Sequence, residues 1–345
     1  MCGLFYTNDS KYSNTHLLYK NSGLISHRGP DNNSQLAIDN HYFSFHRLSI
    51  IDTSENGNQP FLDEKNKIVL MCNGEIYNSD LLRKTVNYDF KSNSDCEVII
   101  PLYLSLGFKE MLKSLDGEFA IVLYDIEKDL TYFARDEIGI RPMFIGEKIS
   151  YTKINKTKKK RNKRFYLSSE AKSLHSFCDK IKQVKPGHFF CVKDNNIVRE
   201  EYNVLWKNNK RLHNSVSDIN RNIKNLLISA VEKRLSSDVP VGFLLSGGLD
   251  SSLVCAIAAR KSNKPIKTFS VGIEEDPIDT KYAREVANYI SSDHHEFLFT
   301  KKDVLDHLRE LIYSLETWDI TSIRASMGMS LLCKYIKNNT DCKVI

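Results

Sequence analysis

The sequence predicts an α+β domain with extensive antiparallel sheet, followed by an α/β domain built on a parallel sheet. At 345 residues the chain is too long for a single compact core. Short apolar runs rich in Val, Ile, Phe and Tyr alternate with turn signals in the first half. Strand and helix patterns alternate regularly in the second half. We therefore expect domains over residues 2–202 and 215–345, joined by a polar linker over residues 203–214.

Patterning in the first half predicts mainly strands, with two helical segments. Helical spacing is found near Thr15–Ser26 and Asp95–Lys113. The basic run at residues 151–164 separates two apolar segments, so it is predicted to be an enlarged hairpin loop. The candidate strands include Tyr42–Leu48, Ile68–Cys72, Ala120–Asp125, Thr131–Ala134, Arg164–Ser168 and Gly187–Lys193.

Patterning in the second half alternates buried strands with helices, which is typical of a parallel sheet covered on both faces. The predicted strands are Val239–Leu245, Ile266–Ile273, His295–Thr300 and Cys342–Ile345. The predicted helices are Ser215–Leu235, Leu253–Lys261, Tyr282–Ser291, Asp303–Glu316 and Ser326–Lys337.

The composition favours a globular protein and argues against a nucleic-acid partner. Hydrophobic residues make up 41% of the chain and charged residues 27%, which is ordinary for a globular domain. The net charge of +6 arises from eight Lys and Arg in residues 151–164, because acidic residues slightly outnumber basic ones elsewhere. No aromatic residues interleave the basic core of that run, so a solvated loop is favoured over a nucleic-acid patch.

The eight cysteines and the N-terminal residues predict a reduced, cytoplasmic protein without a membrane anchor. No two cysteines form a C-x-x-C pair, so zinc and dithiol sites are not expected. The first residues lack a charged stretch followed by an apolar one, and no apolar run is long enough to cross a bilayer. The sequence leaves a homodimer open.

Cys2 is the first candidate catalytic residue. Removal of Met1 would leave Cys2 at the terminus, with a free amine beside its thiol. An α-amine has a pKa of about 8, so it can take the thiol proton near neutral pH, directly or through one water. This pairing is the N-terminal nucleophile arrangement. A cysteine at position 2 could also be accidental, so its assignment as a nucleophile depends on whether other residues of such a site are present.

Three further segments supply the groups that an amide-bearing α-amino acid would need. The side chain of Asn73 and the backbone N–H of Gly74 are suitable oxyanion donors. Arg47 could hold a carboxylate through paired N–H groups, and Asp95 could accept from a substrate ammonium. Each alone also fits a turn or a surface charge, since Asn-Gly is a common hairpin turn.

Nine short motifs in this half resemble, in order, those of class II glutamine amidotransferase domains in their asparagine synthetase form. They are MCGLF, HRGPD, HRLSIID, NQPF, NGEIYN, SDCEVI, LDGEFAIVLYD, RDEIGIRPMF and SSEAKSL. The resemblance implies an N-terminal nucleophile (Ntn) fold in which Cys2 attacks the glutamine amide. The glutamine contacts it implies are Arg47, Asn73, Gly74, Glu75 and Asp95, with Asn73 and Gly74 forming the oxyanion hole.

A second constellation, Ser246–Ser252, lies between a predicted strand and a predicted helix. Its two glycines and small hydroxyl residues let backbone N–H groups converge on an anion, and the helix adds its N-terminal dipole. No Gly-Lys-Ser/Thr follows, so this is not a Walker loop. The spacing alone also fits an ordinary glycine turn.

The string SGGLDSS resembles the pyrophosphate loop of ATP pyrophosphatases, which cleave ATP to AMP and pyrophosphate while adenylating a substrate. The resemblance implies that Asp250 helps to hold Mg²⁺, a role suited to a carboxylate. It also implies adenosine contacts at the strand end Phe269–Gly272, where such ligands bind parallel sheets. The ATP-binding residues it implies are Leu245, Ser246, Gly247, Gly248, Asp250, Ser251 and Val271.

The segment Thr317–Ser326 resembles the aspartate-binding segment of the asparagine synthetase family. The resemblance implies that Thr321 and Arg324 contact the acceptor aspartate. By chemistry alone, Arg324 also fits a surface charge. The assignment of aspartate as the acceptor substrate therefore depends on the resemblance.

The resemblance implies an asparagine synthase that uses ammonia released at Cys2 and proceeds through a β-aspartyl-AMP intermediate. In the family, the strand matching Cys342–Ile345 leads into a second Gly-and-acid loop, and this sequence ends before it. Two alternatives stay open: a glutaminase with a truncated, inactive synthetase half, and a non-catalytic protein that binds glutamine or nucleotide. The expected ligands are glutamine, aspartate and ATP with Mg²⁺.

Overall fold

The computed structural model describes residues 1–9, 15–153, 159–193, 196–203 and 215–345. The chain forms two compact units, Met1–Arg211 and Leu212–Ile345. All but the first residue of the predicted linker lies outside the described residues, so the predicted boundaries stay predictions. Within the described residues no helix is long and apolar enough to cross a membrane.

Twelve strands form two antiparallel sheets in the described part of the first unit. Their bounds are β1 Gly3–Thr7, β2 Asn32–Ile38, β3 His41–Arg47, β4 Phe61–Asp63, β5 Ile68–Ile76, β6 Gly117–Asp125, β7 Leu130–Arg135, β8 Phe144–Lys153, β9 Lys159–Ser168, β10 Lys180–Gln183, β11 His188–Lys193 and β12 Asn196–Glu201. One sheet has the order β10-β8-β9-β1-β3-β2 and the other β12-β11-β7-β6-β5-β4. The predicted α+β domain with antiparallel sheet is confirmed.

The two sheets face one another, and short helices cover their outer faces. Leu4 and Tyr6 of β1 point into the core between the sheets, whereas Phe5 points out towards the helix that follows. This alternation is the period of two expected of a strand buried on both faces. The outer face of the second sheet packs on three further helices. The helices are α1 Thr15–Ser22, α2 Ser79–Arg83, α3 Ile99–Leu106 and α4 Phe108–Ser114.

Asn73, Gly74 and Glu75 lie inside β5, whereas the sequence suggested that they follow it. The strand continues because it pairs with β6 along its full length, with Gly74 opposite Phe119. A Cβ at Gly74 would clash with the carbonyl oxygen of Glu118, so glycine is what lets the two backbones approach. The pairing across the sheet thus overrides the weak strand preference of Asn and Gly.

Two other expectations for the first unit need correction. The helix predicted over Asp95–Lys113 is a 3₁₀ turn followed by α3 and α4, because Gly107 adopts a φ of 75° that ends α3. The basic run is largely strand, since β8 and β9 pair as far as Lys153 and Lys159. Of the predicted loop, residues 154–158 lie outside the described residues.

The second unit is a parallel sheet with helices on both faces, as predicted. The strands are β13 Gly242–Leu244, β14 Lys267–Ile273 and β15 Asp293–Phe299, with β14 in the centre. The helices are α5 Val216–Lys233, α6 Leu249–Lys261, α7 Ile278–Ile290, α8 Lys301–Leu315 and α9 Ile320–Asn339. Helices α5, α6 and α7 pack on one face, and α8 and α9 pack on the other.

Several bounds in the second unit differ from the sequence expectation, and three of the differences concern the predicted sites or the end of the sequence. The helix α6 begins at Leu249, so Asp250 and Ser251 lie in its first turn. The helix α9 begins at Ile320, where Asp319 caps it by accepting from the backbone N–H of Ser322 at 2.7 Å. The strand predicted at Cys342–Ile345 is a single parallel bridge between Val241 and Val344.

Candidate active site

The six residues predicted to act on glutamine line one cleft in the first unit. Strand pairing explains the convergence, because Gly3 of β1 pairs with His46 of β3, next to Arg47. The lining residues among the predicted set are Cys2, Arg47, Asn73, Gly74, Glu75 and Asp95.

The thiol of Cys2 sits against the backbone of Leu48. The thiol donates to the Leu48 carbonyl at 3.7 Å, and the Leu48 N–H donates to Cys2 Sγ at 3.4 Å. Burial raises the pKa of the Cys2 thiol, although the Leu48 backbone and the charge of Arg141 partly oppose that rise. The thiol is therefore protonated at neutral pH and needs a base at the moment of attack.

The pKa of the N-terminal amine is lowered, whereas the pKa of the thiol is raised. Met1 precedes Cys2 and is 51% exposed. Desolvation lowers the pKa of its amine to about 6, with the charges of Arg141 and Arg28 acting in the same direction and Cys2 opposing them. The Met1 amine is thus mostly neutral near pH 7, which is the form that accepts a proton.

Asn73 is the most informative residue of the cleft. It is 1% exposed, yet its Nδ2 has no hydrogen-bond partner among the described residues. An unpaired buried amide donor is costly, and such groups usually await a ligand or water. The strand beneath it is braced by Gln59, which accepts from the Cys72 N–H at 2.7 Å and donates to the Cys72 carbonyl at 3.2 Å. Asn73 is therefore a braced donor in the cleft whose hydrogen-bonding capacity is unused among the described residues.

Arg47 is the last residue of β3, and its buried side chain contacts the loop that follows. Its Nη1 donates to the Ser54 carbonyl at 2.7 Å and to Asn58 Oδ1 at 3.0 Å. Its Nη2 donates to the carbonyls of Ile51 and Asp52. A substrate carboxylate would compete with these acceptors, so the predicted bidentate grip stays a prediction. In this conformation the guanidinium shapes one wall of the cleft.

Asp95 is buried beside the end of β5. Its Oδ2 accepts from the Ile76 N–H at 2.6 Å. Burial raises the pKa of Asp95 to about 6, and neighbouring Glu75 adds to the rise. A carboxylate in this position gains from a cationic partner, because a positive charge would relieve the cost of ionising it there.

Arg141, which the sequence reasoning did not select, also lines the cleft. Its Nη2 lies 2.7 Å from Glu118 Oε1 and 3.6 Å from Glu75 Oε1. Its Nε is buried and has no hydrogen-bond partner among the described residues. The backbone here is held by Asp136, which accepts from the Arg141 N–H at 3.0 Å. The only sequence signal was the motif RDEIGIRPMF, which contains Arg141.

The predicted nucleotide loop of the second unit connects β13 to α6. Gly247 has a φ of 78°, and a Cβ there would lie 2.5 Å from the backbone carbon of Tyr282. Ser246 is held by Ser251, whose Oγ lies 3.0 Å from Ser246 Oγ. The loop residues Ser246 and Gly248 are exposed, with α6 starting directly behind them. The geometry fits an anion at a helix N-terminus.

The remaining predicted residues of the second unit are spread around this end of the sheet. Val271 lies near the end of β14, and α9 passes beside it, since a Cβ at Gly328 would lie 3.7 Å from Val271 Cγ1. Leu245 is buried directly before the loop. Thr321 and Arg324 are exposed on the first turns of α9.

The donor set in the second unit fits Mg²⁺ only as one part of a shared site. Asp250 is an exposed carboxylate in the first turn of α6. Within the described residues no three His, Cys, Asp or Glu side chains are grouped to hold a metal. Mg²⁺ commonly takes one or two protein carboxylates and completes its shell with substrate phosphates and water. Asp250 is compatible with that arrangement.

A cysteine directly before a buried strand in a sandwich of two antiparallel sheets, sharing a cleft with an unpaired amide donor, is typical of a class II glutamine amidotransferase domain. Comparison with protein families agrees, since residues 1–220 match the glutamine amidotransferase domain family. Residues 222–345 match the asparagine synthase family. The chain belongs to the asparagine synthetase family, with an amidotransferase domain followed by an asparagine synthase domain.

Curated relatives match nearly the whole chain. It is 37% identical to asparagine synthetase [glutamine-hydrolyzing] 2 of Arabidopsis thaliana, covering 98% of this chain and 58% of that protein. It is 38% identical to asparagine synthetase B of Escherichia coli K12, covering 98% and 61%. It is 39% identical to a probable asparagine synthetase of Schizosaccharomyces pombe, covering 91% and 57%. The chain thus spans about 60% of the length of these relatives.

Proposed function

We propose that the chain hydrolyses glutamine at Cys2 and uses the ammonia in an ATP-dependent synthesis of asparagine from aspartate. The observation that carries the glutaminase step is the buried, unpaired Nδ2 of Asn73 in the same cleft as the Cys2 thiol. The synthetase step is supported by the match of residues 222–345 and by the loop Ser246–Ser252. The substrates would be glutamine, aspartate and ATP.

In the glutaminase step, Cys2 Sγ attacks the side-chain amide carbon of glutamine. After Met1 is removed, the Cys2 amine takes the thiol proton, since burial disfavours a free thiolate. The oxyanion that forms accepts from Asn73 Nδ2 and the Gly74 N–H, which act where charge develops. The same proton then goes to the departing nitrogen, ammonia leaves, and water hydrolyses the γ-glutamyl thioester to glutamate.

The α-carbon groups of glutamine would be held by residues of opposite charge. Asp95 pairs with the ammonium, and its burial makes that pairing strong because little water competes. Arg47, which lines the same cleft, would bind the carboxylate once its contacts with the following loop are exchanged. Glu75, which lies beside Arg141, would be a further contact for glutamine.

In the synthetase step, the β-carboxylate of aspartate attacks the α-phosphorus of ATP, and pyrophosphate leaves. Ammonia then attacks the β-aspartyl carbonyl, and AMP leaves as asparagine forms. The backbone of Ser246–Ser251 would bind the pyrophosphate and Val271 the adenosine. Asp250 would hold Mg²⁺ against the phosphates, whose charge the ion offsets. Thr321 and Arg324 would contact aspartate.

A glutaminase without synthetase activity is the second candidate. The specific observation in its favour is that the described glutamine cleft is built from the first unit alone, with its groups buried and braced. The residues assigned to ATP and aspartate are mainly exposed. In this alternative the glutaminase chemistry is unchanged, and no asparagine or pyrophosphate forms.

The test is an assay of the full chain for both half-reactions. Glutamate and ammonia are measured with glutamine alone, comparing the wild-type chain with Cys2→Ala. Loss of glutamate formation in Cys2→Ala is the expected result, and activity that survives would sink the assignment. Asparagine and pyrophosphate are then measured with ATP, Mg²⁺, aspartate and ammonium. Formation of both supports the synthetase, and glutaminase activity alone favours the second candidate.

A further inference from the structure

We propose that Glu170 is a positioning residue that holds the nucleophile Cys2 in place through Arg28. The proposal rests on the proposed glutaminase function, because it assumes that the orientation of Cys2 limits the reaction. Glu170 is outside the cleft lining, and none of the roles assigned above includes it.

Glu170 lies just after β9 and is the centre of a buried ion cluster. Its side chain is 9% exposed. Its Oε1 accepts from Arg28 Nη1 at 2.9 Å and from His27 Nε2 at 3.0 Å. Its Oε2 lies 2.9 Å from Lys172 Nζ. Three potential cations therefore surround one carboxylate.

Arg28 links this cluster to the nucleophile. While its Nη1 binds Glu170, its Nε donates to the carbonyl oxygen of Cys2 at 2.9 Å. The guanidinium is planar, so fixing one edge on a carboxylate also fixes the direction of its other N–H groups. The orientation of the Cys2 carbonyl is thereby tied to Glu170.

The residue next to Glu170 holds the next part of the same strand. Ser169 Oγ accepts from the Leu4 N–H at 3.0 Å, and the Ser169 N–H donates to the Leu4 carbonyl at 3.0 Å. Ser169 and Glu170 therefore secure two neighbouring peptide groups of the N-terminal strand. After Met1 is removed, Cys2 has no preceding residue to restrain it, so this external support replaces the missing covalent neighbour.

The charge of Glu170 is stable over the pH range in which the thiol works. Burial disfavours its ionisation, but hydrogen bonds from His27, Arg28 and Lys172 outweigh that and lower the pKa of Glu170 to about 2. Arg28 and Glu170 thus stay oppositely charged. A displacement of about 1 Å at a reacting atom can cost about 10²-fold in rate, so a modest loosening of Cys2 should be measurable.

The first test compares Glu170→Gln with Lys172→Gln in the full chain. Glu170→Gln removes the charge that anchors Arg28, and should lower kcat for glutamine about tenfold while changing KM by less than about twofold. Lys172→Gln removes a charge from the same cluster but leaves the link to Arg28, so kcat should stay near wild type. Equal kcat in Glu170→Gln and the wild-type chain would overturn the proposal.

The second test asks whether Glu170 acts through Arg28. In an Arg28→Lys background the Nε contact with Cys2 is lost, so adding Glu170→Gln should lower kcat by less than about twofold further. A full, additive loss in the double variant would show that Glu170 acts otherwise. If Glu170→Gln does not fold, Glu170→Asp keeps the charge, shortens the reach and should still lower kcat.

Hydrogen exchange gives a reading that does not depend on activity. The amide of Gly3 adjoins the Cys2 carbonyl, so a peptide covering the N-terminal strand should exchange faster in Glu170→Gln than in Lys172→Gln or the wild-type chain. Unchanged exchange would overturn the proposal even if the chain proved to have no glutaminase activity. An inactive wild-type chain with faster exchange in Glu170→Gln would instead contradict the proposed function and leave the positioning role supported.

Discussion

The glutamine cleft of the first unit and the nucleotide loop of the second unit are organised in contrasting ways. In the cleft, Asn73 and Asp95 are almost fully buried. Asn73 lies on β5, which pairs with β6, and Asp95 lies beside the end of β5. In the loop, Ser246 and Asp250 are exposed, and the local order comes from a serine pair and one glycine. The comparison teaches that the first site is preorganised by its scaffold, whereas the proposed nucleotide site exposes backbone groups that a bound ligand would order.

The largest expected effect is at the cleft. Asn73→Ala should lower kcat for glutamine by ~10²–10³, the usual loss for one oxyanion donor, with KM changed much less. Steady-state kinetics of glutamate formation measure both constants. A loss confined to KM would mean that Asn73 binds glutamine equally in the ground and transition states, and the preorganised oxyanion site would be wrong.

A pair of glycine substitutions compares the two regions directly. Gly74→Ala would push a methyl group into the Glu118 carbonyl across the sheet, so it should destabilise the first unit by more than about 1 kcal/mol and lower glutaminase activity. Gly247→Ala combines a φ of 78° with a contact on Tyr282, and should weaken ATP binding while sparing glutaminase activity. Thermal melts, glutaminase assays and ATP titration separate the two outcomes.

The opposite results for Gly74→Ala and Gly247→Ala would contradict the contrast between the two regions. If Gly247→Ala abolished glutaminase activity, the glutamine cleft would not be self-contained. If Gly74→Ala left glutamine turnover intact, the close approach of β5 to β6 would not matter for the oxyanion site.

The pH dependence of glutamine binding tests the burial of Asp95. Because its pKa is raised to about 6, the carboxylate becomes protonated as pH falls through 6, and the partner for the substrate ammonium is lost. The dissociation constant should therefore rise about tenfold from pH 7 to pH 5 and change little above pH 7. Calorimetric titration in Cys2→Ala isolates binding from chemistry. Asp95→Asn should bind weakly at every pH, and a pH-independent affinity in the parent would contradict the account.

The smallest effect is expected at Asp250. Asp250→Asn removes one carboxylate from a site that substrate phosphates mainly complete, so it should weaken Mg²⁺-dependent ATP binding by about threefold to tenfold. Asp279→Asn is the matched control, since Asp279 also lies in the first turn of a helix in the same unit. Glutaminase activity should be unchanged in both. Equal ATP affinity in the two variants would remove Asp250 from the proposed site.

Much of this organisation could be predicted from the chain itself. The change from antiparallel patterns to alternating strands and helices predicted both folds, because period and order are local properties. The six residues predicted to act on the substrate glutamine were identified from short motifs, and they line one cleft in the structure. Their individual roles remain predictions.

What could not be predicted depends on contacts distant in sequence. The extension of β5 through Asn73 and Gly74 requires β6 to be in place, and neither residue type favours a strand. The brace from Gln59 to Cys72 and the link from Glu170 through Arg28 to Cys2 join segments that only the folded sheets bring together. Side-chain hydrogen bonds of this kind leave no periodic signal in a sequence.

The central claim, that Cys2 carries out covalent glutamine hydrolysis in a preorganised cleft, is tested most directly by trapping the intermediate. The full chain is mixed with glutamine and quenched in acid within one turnover, and the N-terminal peptide is weighed by mass spectrometry. The account predicts a γ-glutamyl group on Cys2, with Met1 removed, and no adduct in Cys2→Ala. Glutamine hydrolysis that proceeds without any adduct on Cys2 would contradict it.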